Sequence, residues 1–140
     1  MNKLNKKTEY ALMALKFFKD RAAVTSEQPV SLVSAKDIAE KTHAPFEVIA
    51  RVLQALSSRG VLRAEYGVSG GYQLVKNLEE ISVFELMNIL ENSNELAKCL
   101  GSDSECDLSS KCTIITPVTV LNTKVQNFYK SISLAEVLHV

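Results

Sequence analysis

Residues 34–75 read SAKDIAEKTHAPFEVIARVLQALSSRGVLRAEYGVSGGYQLV, and this stretch decides the fold. Ser34 stands three residues before Asp37, the spacing of a capping box at a helix start. A short helix through Lys41 follows, then a turn at Thr42-His43-Ala44. Pro45 suits the first position of the next helix, where its missing N–H costs nothing. That helix repeats apolar residues at Val48, Ile49, Val52, Leu53 and Leu56, one face of a 3.6-residue period, and Gly60 is placed to end it. Residues 61–66 read as a strand, residues 67–71 as a glycine-rich turn, and residues 72–75 as a return strand. Two short helices across a tight turn, followed at once by such a hairpin, make a winged helix-turn-helix.

Working outward, residues 7–23 place Tyr10, Met13, Ala14, Phe17 and Phe18 at amphipathic helical spacing. Residues 24–33 contain Pro29 and read as a connection with a short extended end. Downstream, Ser82 with Glu85 is a second capping box, and the helix behind it buries Val83, Leu86, Met87 and Leu90. Residues 92–113 are polar and irregular, and loops this long are uncommon without a function. After Pro117 comes a long helix with Val118, Leu121, Val125, Phe128 and Ile132 spaced 3, 4, 3, 4, a heptad-like pattern. That helix either packs on its own domain or pairs with a second copy. Residues 1–90 already read as a closed domain, which favours a homodimer. The expected fold is mainly α with a small β-hairpin. It comprises a winged helix-turn-helix over 1–90, a cysteine-containing effector loop over 91–116, and a dimerisation helix with a C-terminal segment over 117–140.

The chain has 140 residues, 16 Lys+Arg against 16 Asp+Glu, and a formal net charge of zero. The charge is unevenly spread. Residues 1–76 carry twelve Lys/Arg and seven Asp/Glu, while residues 77–140 carry four and nine. Such asymmetry points to nucleic-acid contact by the first half. A hydrophobic content of 46% with 23% charged residues is that of a globular chain. No apolar run is long enough to span a bilayer, so no membrane contact is expected. The basic start lacks a secretory apolar core, so the expected location is the cytoplasm, where thiols stay reduced.

On the second helix of a helix-turn-helix, the N-terminal residues lie nearest the bases. Here the outward candidates are His43, Ala44, Phe46, Glu47, Ala50, Arg51 and Gln54. Arg51 can bond guanine bidentately, Gln54 adenine, and Glu47 can accept from cytosine. In the wing, Tyr66, Gly67, Ser69, Gly70, Gly71 and Tyr72 would reach the minor groove or backbone of double-stranded DNA, though Tyr72 suits the core equally. Lys3, Lys6 and Lys7 suit phosphates, or simply solubilise the terminus.

Cys99, Cys106 and Cys112 lie among serines and acids, unlike structural free cysteines in apolar cores. Their odd number argues against a disulfide set. Clustered thiolates suit zinc or an iron–sulfur cluster. The short C-x2-C spacers typical of zinc are absent, and spacers of six and five leave the metal open. No nucleophile–base pair or phosphate-cradling glycine loop stands out, so no enzyme is expected.

The order of parts resembles the Rrf-two family of bacterial transcription regulators over nearly the whole chain. The resemblance is carried by Thr8-Glu9-Tyr10-Ala11-Leu12, Val30-Ser31-Leu32, Ile38-Ala39-Glu40 and Arg59-Gly60-Val61-Leu62. It continues through Gly70-Gly71-Tyr72-Gln73-Leu74, Ile81-Ser82-Val83 and Ser133-Leu134-Ala135-Glu136-Val137-Leu138. It implies a dimeric regulator of a DNA operator. It also implies that Cys99, Cys106 and Cys112 ligate a 2Fe–2S or 4Fe–4S cluster. Family members usually have five residues between each pair of cysteines, whereas the first spacer here has six. IscR-like members place a His three residues after the last Cys; here Ile115 stands there. NsrR-like members use an acid on the partner's first helix, which implies Glu9 as fourth ligand. The family often has an Arg before the wing glycines, where this chain has Tyr66. Two alternatives stand beside this expectation. One is a clusterless regulator sensing by thiol oxidation or a small molecule. The other is a metal- or cluster-carrying assembly module that binds no DNA.

Overall fold

The structure is a computed structural model that describes residues 4–24, 32–91, 100 and 110–139. The described elements are α1 (Lys6–Val24), α2 (Ala35–Thr42), α3 (Phe46–Ser58), β1 (Leu62–Glu65), β2 (Gly71–Leu74), α4 (Val83–Leu90), α5 (Ile115–Lys130) and α6 (Leu134–Val137). A mainly helical chain with one antiparallel hairpin agrees with the fold expected from the sequence.

Both capping boxes form. The Asp37 N–H donates to Ser34 Oγ at 3.1 Å, and the Ser34 N–H donates to Asp37 Oδ2 at 3.2 Å. Ser82 and Glu85 repeat this exchange at the start of α4. The bonds from Ser34 hold the Asp37 carboxyl below its ordinary value of 3.8. Between α2 and α3, His43 takes a left-handed conformation (φ 55°), and its N–H donates to the Ala39 carbonyl. Pro45 is the N-cap of α3 rather than its first helical residue, because its ψ of 128° is extended. Its carbonyl instead accepts from Ile49 N–H at 3.1 Å.

The core joins α1, α3 and α4. From α3, Ile49, Val52, Leu53 and Leu56 are buried as expected, with Val48 half-buried. The α4 set of Val83, Leu86, Met87 and Leu90 is buried in full. On α1 the buried face is turned from the expected one. It holds Thr8, Ala11, Ala14, Leu15 and Phe18, while Met13 is 43% exposed and Tyr10 and Phe17 are half-buried. Residues 10–15 are apolar on nearly every side, so their periodicity fits more than one phase. The small side chains of Ala11 and Ala14 permit the close helix approach that selects the observed one.

β1 and β2 pair with Leu62 opposite Leu74 and Glu65 opposite Gly71. The ladder is shorter than expected: Val61, Tyr66 and Val75 lie outside it, and Gly71 lies inside. A third extended segment joins at Val33, which exchanges backbone bonds with Tyr72 at 2.9 and 2.7 Å. Gly71 makes this approach possible, because a Cβ there would lie 2.8 Å from the Val33 carbonyl oxygen.

α5 begins at Ile115, two residues before Pro117. Pro117 is tolerated because N–H groups in the first turn have no partner inside the helix. Beyond α5 the chain returns to the core. Val83 N–H donates to the Ile132 carbonyl, Leu134 N–H donates to the Ile81 carbonyl, and Leu134 and Leu138 are buried. The Lys19 ammonium donates to the Leu138 carbonyl.

Two substitutions test these supports. Gly71→Ala is expected to cost about 1–3 kcal/mol by overpacking, read as a lower urea midpoint. Ser34→Ala is expected to cost about 1 kcal/mol at neutral pH through the lost cap. Because the Asp37 carboxyl is depressed in the fold, its contribution is present above pH 3.8 and is lost as pH falls through the lowered value. The gap between wild type and Ser34→Ala should therefore narrow on acidification.

Candidate nucleic-acid interface

Burying Ile49, Val52, Leu53 and Leu56 turns the other face of α3 to solvent. Phe46 is 54% exposed, Glu47, Arg51 and Gln54 are exposed, and Ala50 is half-buried beside them. Glu47, Ala50, Arg51 and Gln54 fall at i, i+3, i+4 and i+7, which is one stripe. His43 is exposed at the turn ahead of it, with Ala44 half-buried. Arg51 makes no hydrogen bond or ion pair among the described residues. The stripe therefore presents a cation, an amide and a carboxylate on a rigid helix, the donor and acceptor types that read base edges in a major groove.

A cation beside this stripe was missed in the sequence. Lys36, in the first turn of α2, shares a shallow groove with Ala44 and Phe46. It stands 4.0 Å from Glu40 in an exposed pair. The sequence signal is a lysine in the first turn of the helix that precedes the reading helix.

The wing stands out from the core. Tyr66 and Val68 are essentially fully exposed on either side of Gly67, whose φ is 112°. Ser69 is exposed with them, while Gly70, Gly71 and Tyr72 are not. The wing glycines have internal reasons to be glycine. A Cβ on Gly70 would lie 2.3 Å from the Glu65 carbonyl, and Gly71 sits under Val33. Tyr72 packs against the core, and burial raises its phenol above the ordinary value. Arg63, the cation on β1, is exposed and engaged by its neighbours on the hairpin. Its Nη2 donates to Gln73 Oε1 at 2.7 Å and lies 3.7 Å from Glu65.

At the start of α1, Lys6 Nζ donates to Glu9 Oε2 at 2.8 Å, and this bond holds the Lys6 ammonium above its ordinary value. Lys7 is exposed, and its side chain has no partner among the described residues. Thr8 is fully buried, and its hydroxyl donates to Glu91 Oε1 at 2.9 Å. This bond ties the first turn of α1 to the residue that ends α4, immediately before the cysteine-bearing segment. Lys3, Cys99 and Cys106 lie outside the described residues. Cys112 is a free, half-buried thiol two residues before the N-cap of α5. Among the described residues no three His, Cys, Asp or Glu side chains converge as a metal site.

Ile114, the N-cap of α5, and Leu121 and Phe128 on the helix fall seven residues apart and are 58%, 56% and 62% exposed. Val118 and Val125 between them, and Ile132 just beyond the helix, are half-buried. No described helix is long and apolar enough to cross a membrane.

Residues 4–140 match the Rrf2 family model, described as an iron-dependent transcriptional regulator. The HTH-type transcriptional regulator IscR of Pectobacterium atrosepticum is 28% identical over 137 residues, covering 98% of this chain and 79% of that protein. Two solved structures share the fold. T. potens IscR superposes with a TM-score of 0.66 at 20% identity, covering 99% of this chain and 87% of the other. The oxidized form of Staphylococcus aureus CymR gives 0.66 at 21%, covering 99% and 98%.

Proposed function

The chain belongs to the Rrf2 family of DNA-binding transcriptional regulators, and from that premise we propose that it acts as a homodimer whose grip on an operator is set by an iron–sulfur cluster. A regulator of this family is not an enzyme, in agreement with the sequence reading. The DNA-free assembly module falls away with it. We place the protein in the cytoplasm with its DNA.

The observation that carries the dimer is the row of Ile114, Leu121 and Phe128. An exposed heptad row of large apolar side chains is costly for a lone helix and natural for a paired one. In this reading residues 1–90 read DNA, 91–116 hold the effector and 117–140 dimerise, with Leu134 and Leu138 anchoring the tail in the first part. Two reading helices related by a two-fold axis then meet two half-sites. Glu47, Arg51 and Gln54 read bases, and Lys3, Lys6, Lys7 and Lys36 meet phosphates. With Arg63 tied to Gln73, the wing tip touches DNA through Tyr66, Val68 and Ser69, a largely uncharged contact.

For the effector, three cysteine thiolates fit iron in kind, and the family description names iron dependence. Cys112 is free and half-buried. Glu9, in the first turn of α1, would complete the set from the partner subunit. It would have to leave Lys6, at little cost, since exposed ion pairs are weak. Held by Cys99, Cys106, Cys112 and the partner's acid, a 2Fe–2S or 4Fe–4S cluster would supply a redox-labile link that oxidants or nitric oxide could break. The Thr8–Glu91 bond keeps α1 and the start of the cysteine segment in step within each subunit. A second reading, sensing by thiol oxidation alone, draws on the six-residue first spacer and on Ile115 in place of a histidine.

Leu121→Asp with Phe128→Asp should turn a dimer into a monomer by light scattering, and a variant that stays dimeric contradicts the pairing. Arg51→Ala should weaken operator binding by about 1–3 kcal/mol and relax preference at one base pair. Lys7→Ala should lower the salt slope by about 1, whereas Tyr66→Ala with Val68→Ala should weaken binding and leave the slope unchanged. Glu9→Ala should shorten the lifetime of the cluster absorption in anaerobically purified protein without lowering the urea midpoint. An unchanged lifetime removes Glu9 as ligand.

A further inference from the structure

Between α1, α3 and α4 lies a cavity of about 170 Å³ whose aliphatic interior the DNA and cluster readings leave unused. Its walls are Val48, Val52, Ala55, Ile89 and Leu90, all aliphatic, and Lys7 and Arg51 line it with them. Neither cationic head has a carboxylate partner among the described residues. Two unpaired cations at an aliphatic cavity complement a ligand with one anionic end and a short apolar tail. Counting about 30 Å³ for each water-sized group, the space admits a tail of roughly five carbons.

We propose that this cavity is a binding site for a short-chain aliphatic carboxylate, held by Arg51 and Lys7 at its head and by the Val48–Ala55–Ile89 wall along its tail. The carboxylate accepts two parallel bonds from the Arg51 guanidinium, and the Lys7 ammonium adds a third charge-assisted bond. The opposite charge on the same tail is rejected, because an ammonium would face two cations in a poorly hydrated cleft. The ligand and DNA then compete, a clause that rests on the base-reading role given to Arg51 above. A guanidinium bound to carboxylate is withdrawn from the groove face of α3.

The test uses the 140-residue chain and four probes at constant ionic strength: sodium hexanoate, sodium butanoate, sodium acetate and hexylammonium chloride. Hexanoate is expected to raise the melting temperature in proportion to the logarithm of its concentration, and butanoate to bind roughly tenfold more weakly for its two missing methylenes. Acetate and hexylammonium are expected to do nothing. Ala55→Leu, which fills the cavity, and Lys7→Gln, a surface change that leaves the core intact, are each expected to weaken the response at least fivefold. An equal response to hexylammonium, or a full hexanoate response in folded Ala55→Leu and in Lys7→Gln, overturns the site. Hexanoate is also expected to weaken DNA binding where acetate does not, and bound hexanoate with unchanged DNA affinity overturns the competition. The same titration on Cys112→Ser should give the wild-type melting response, which separates failure of this site from failure of the cluster reading.

Discussion

The apolar face of α3 is the constraint on which the rest of the molecule depends. Ile49, Leu53 and Leu56 are fully buried against the first and fourth helices, and Val52 nearly so. Each such side chain contributes about 1.5–3 kcal/mol on leaving water. A slip of the helix about its axis would expose them and bury Arg51 and Gln54, charged and amide groups that are expensive to bury unpaired. Packing therefore does two things at once. It closes the domain, and it aims the polar stripe of Glu47, Arg51 and Gln54 outward on a helix that cannot roll.

Much of this was legible because the signals are local. A serine three residues before an acid marks a helix start in any context, and both boxes form here. The hairpin followed from glycine placement. What the sequence hid was tertiary. Residues 10–15 are apolar on so many sides that only contact with α3 selects Ala11 and Leu15 over Met13. Pro45 and Pro117 each fit more than one position near a helix start, and local backbone geometry chose between them. The reason for Gly71 lies in Val33, nearly forty residues earlier. The cavity between Arg51 and Ile89 has walls from three separate segments, and no spacing rule could have assembled it. Of the candidate metal ligands, Cys112 and Glu9 are described as single side chains, and their joining stays a proposal built on the cysteines and the family.

The charge balance changes sign between the hairpin and α4, within the first packed unit. The basic half carries the reading helix and its flanking lysines, and the acidic half carries the cysteine segment and the apolar row of α5. The two halves share the core, where α4 packs on α1 and α3, and they are joined further by the Thr8–Glu91 bond, the Lys19 bond to the Leu138 carbonyl, and buried Leu134. Thr8 is buried beside Glu9, and its bond to Glu91 ties the first turn of α1 to the end of α4.

If a cluster sets the grip on DNA, removing its iron must change operator affinity. The most direct measurement takes one anaerobic preparation, determines its iron and sulfide, and titrates it onto operator duplex before and after chelation of the iron, at one salt concentration. Cluster control requires a coloured protein with iron and sulfide in equal amounts, and an operator affinity that changes at least tenfold on chelation. A colourless protein without sulfide, or an affinity unmoved by loss of the iron, would contradict it.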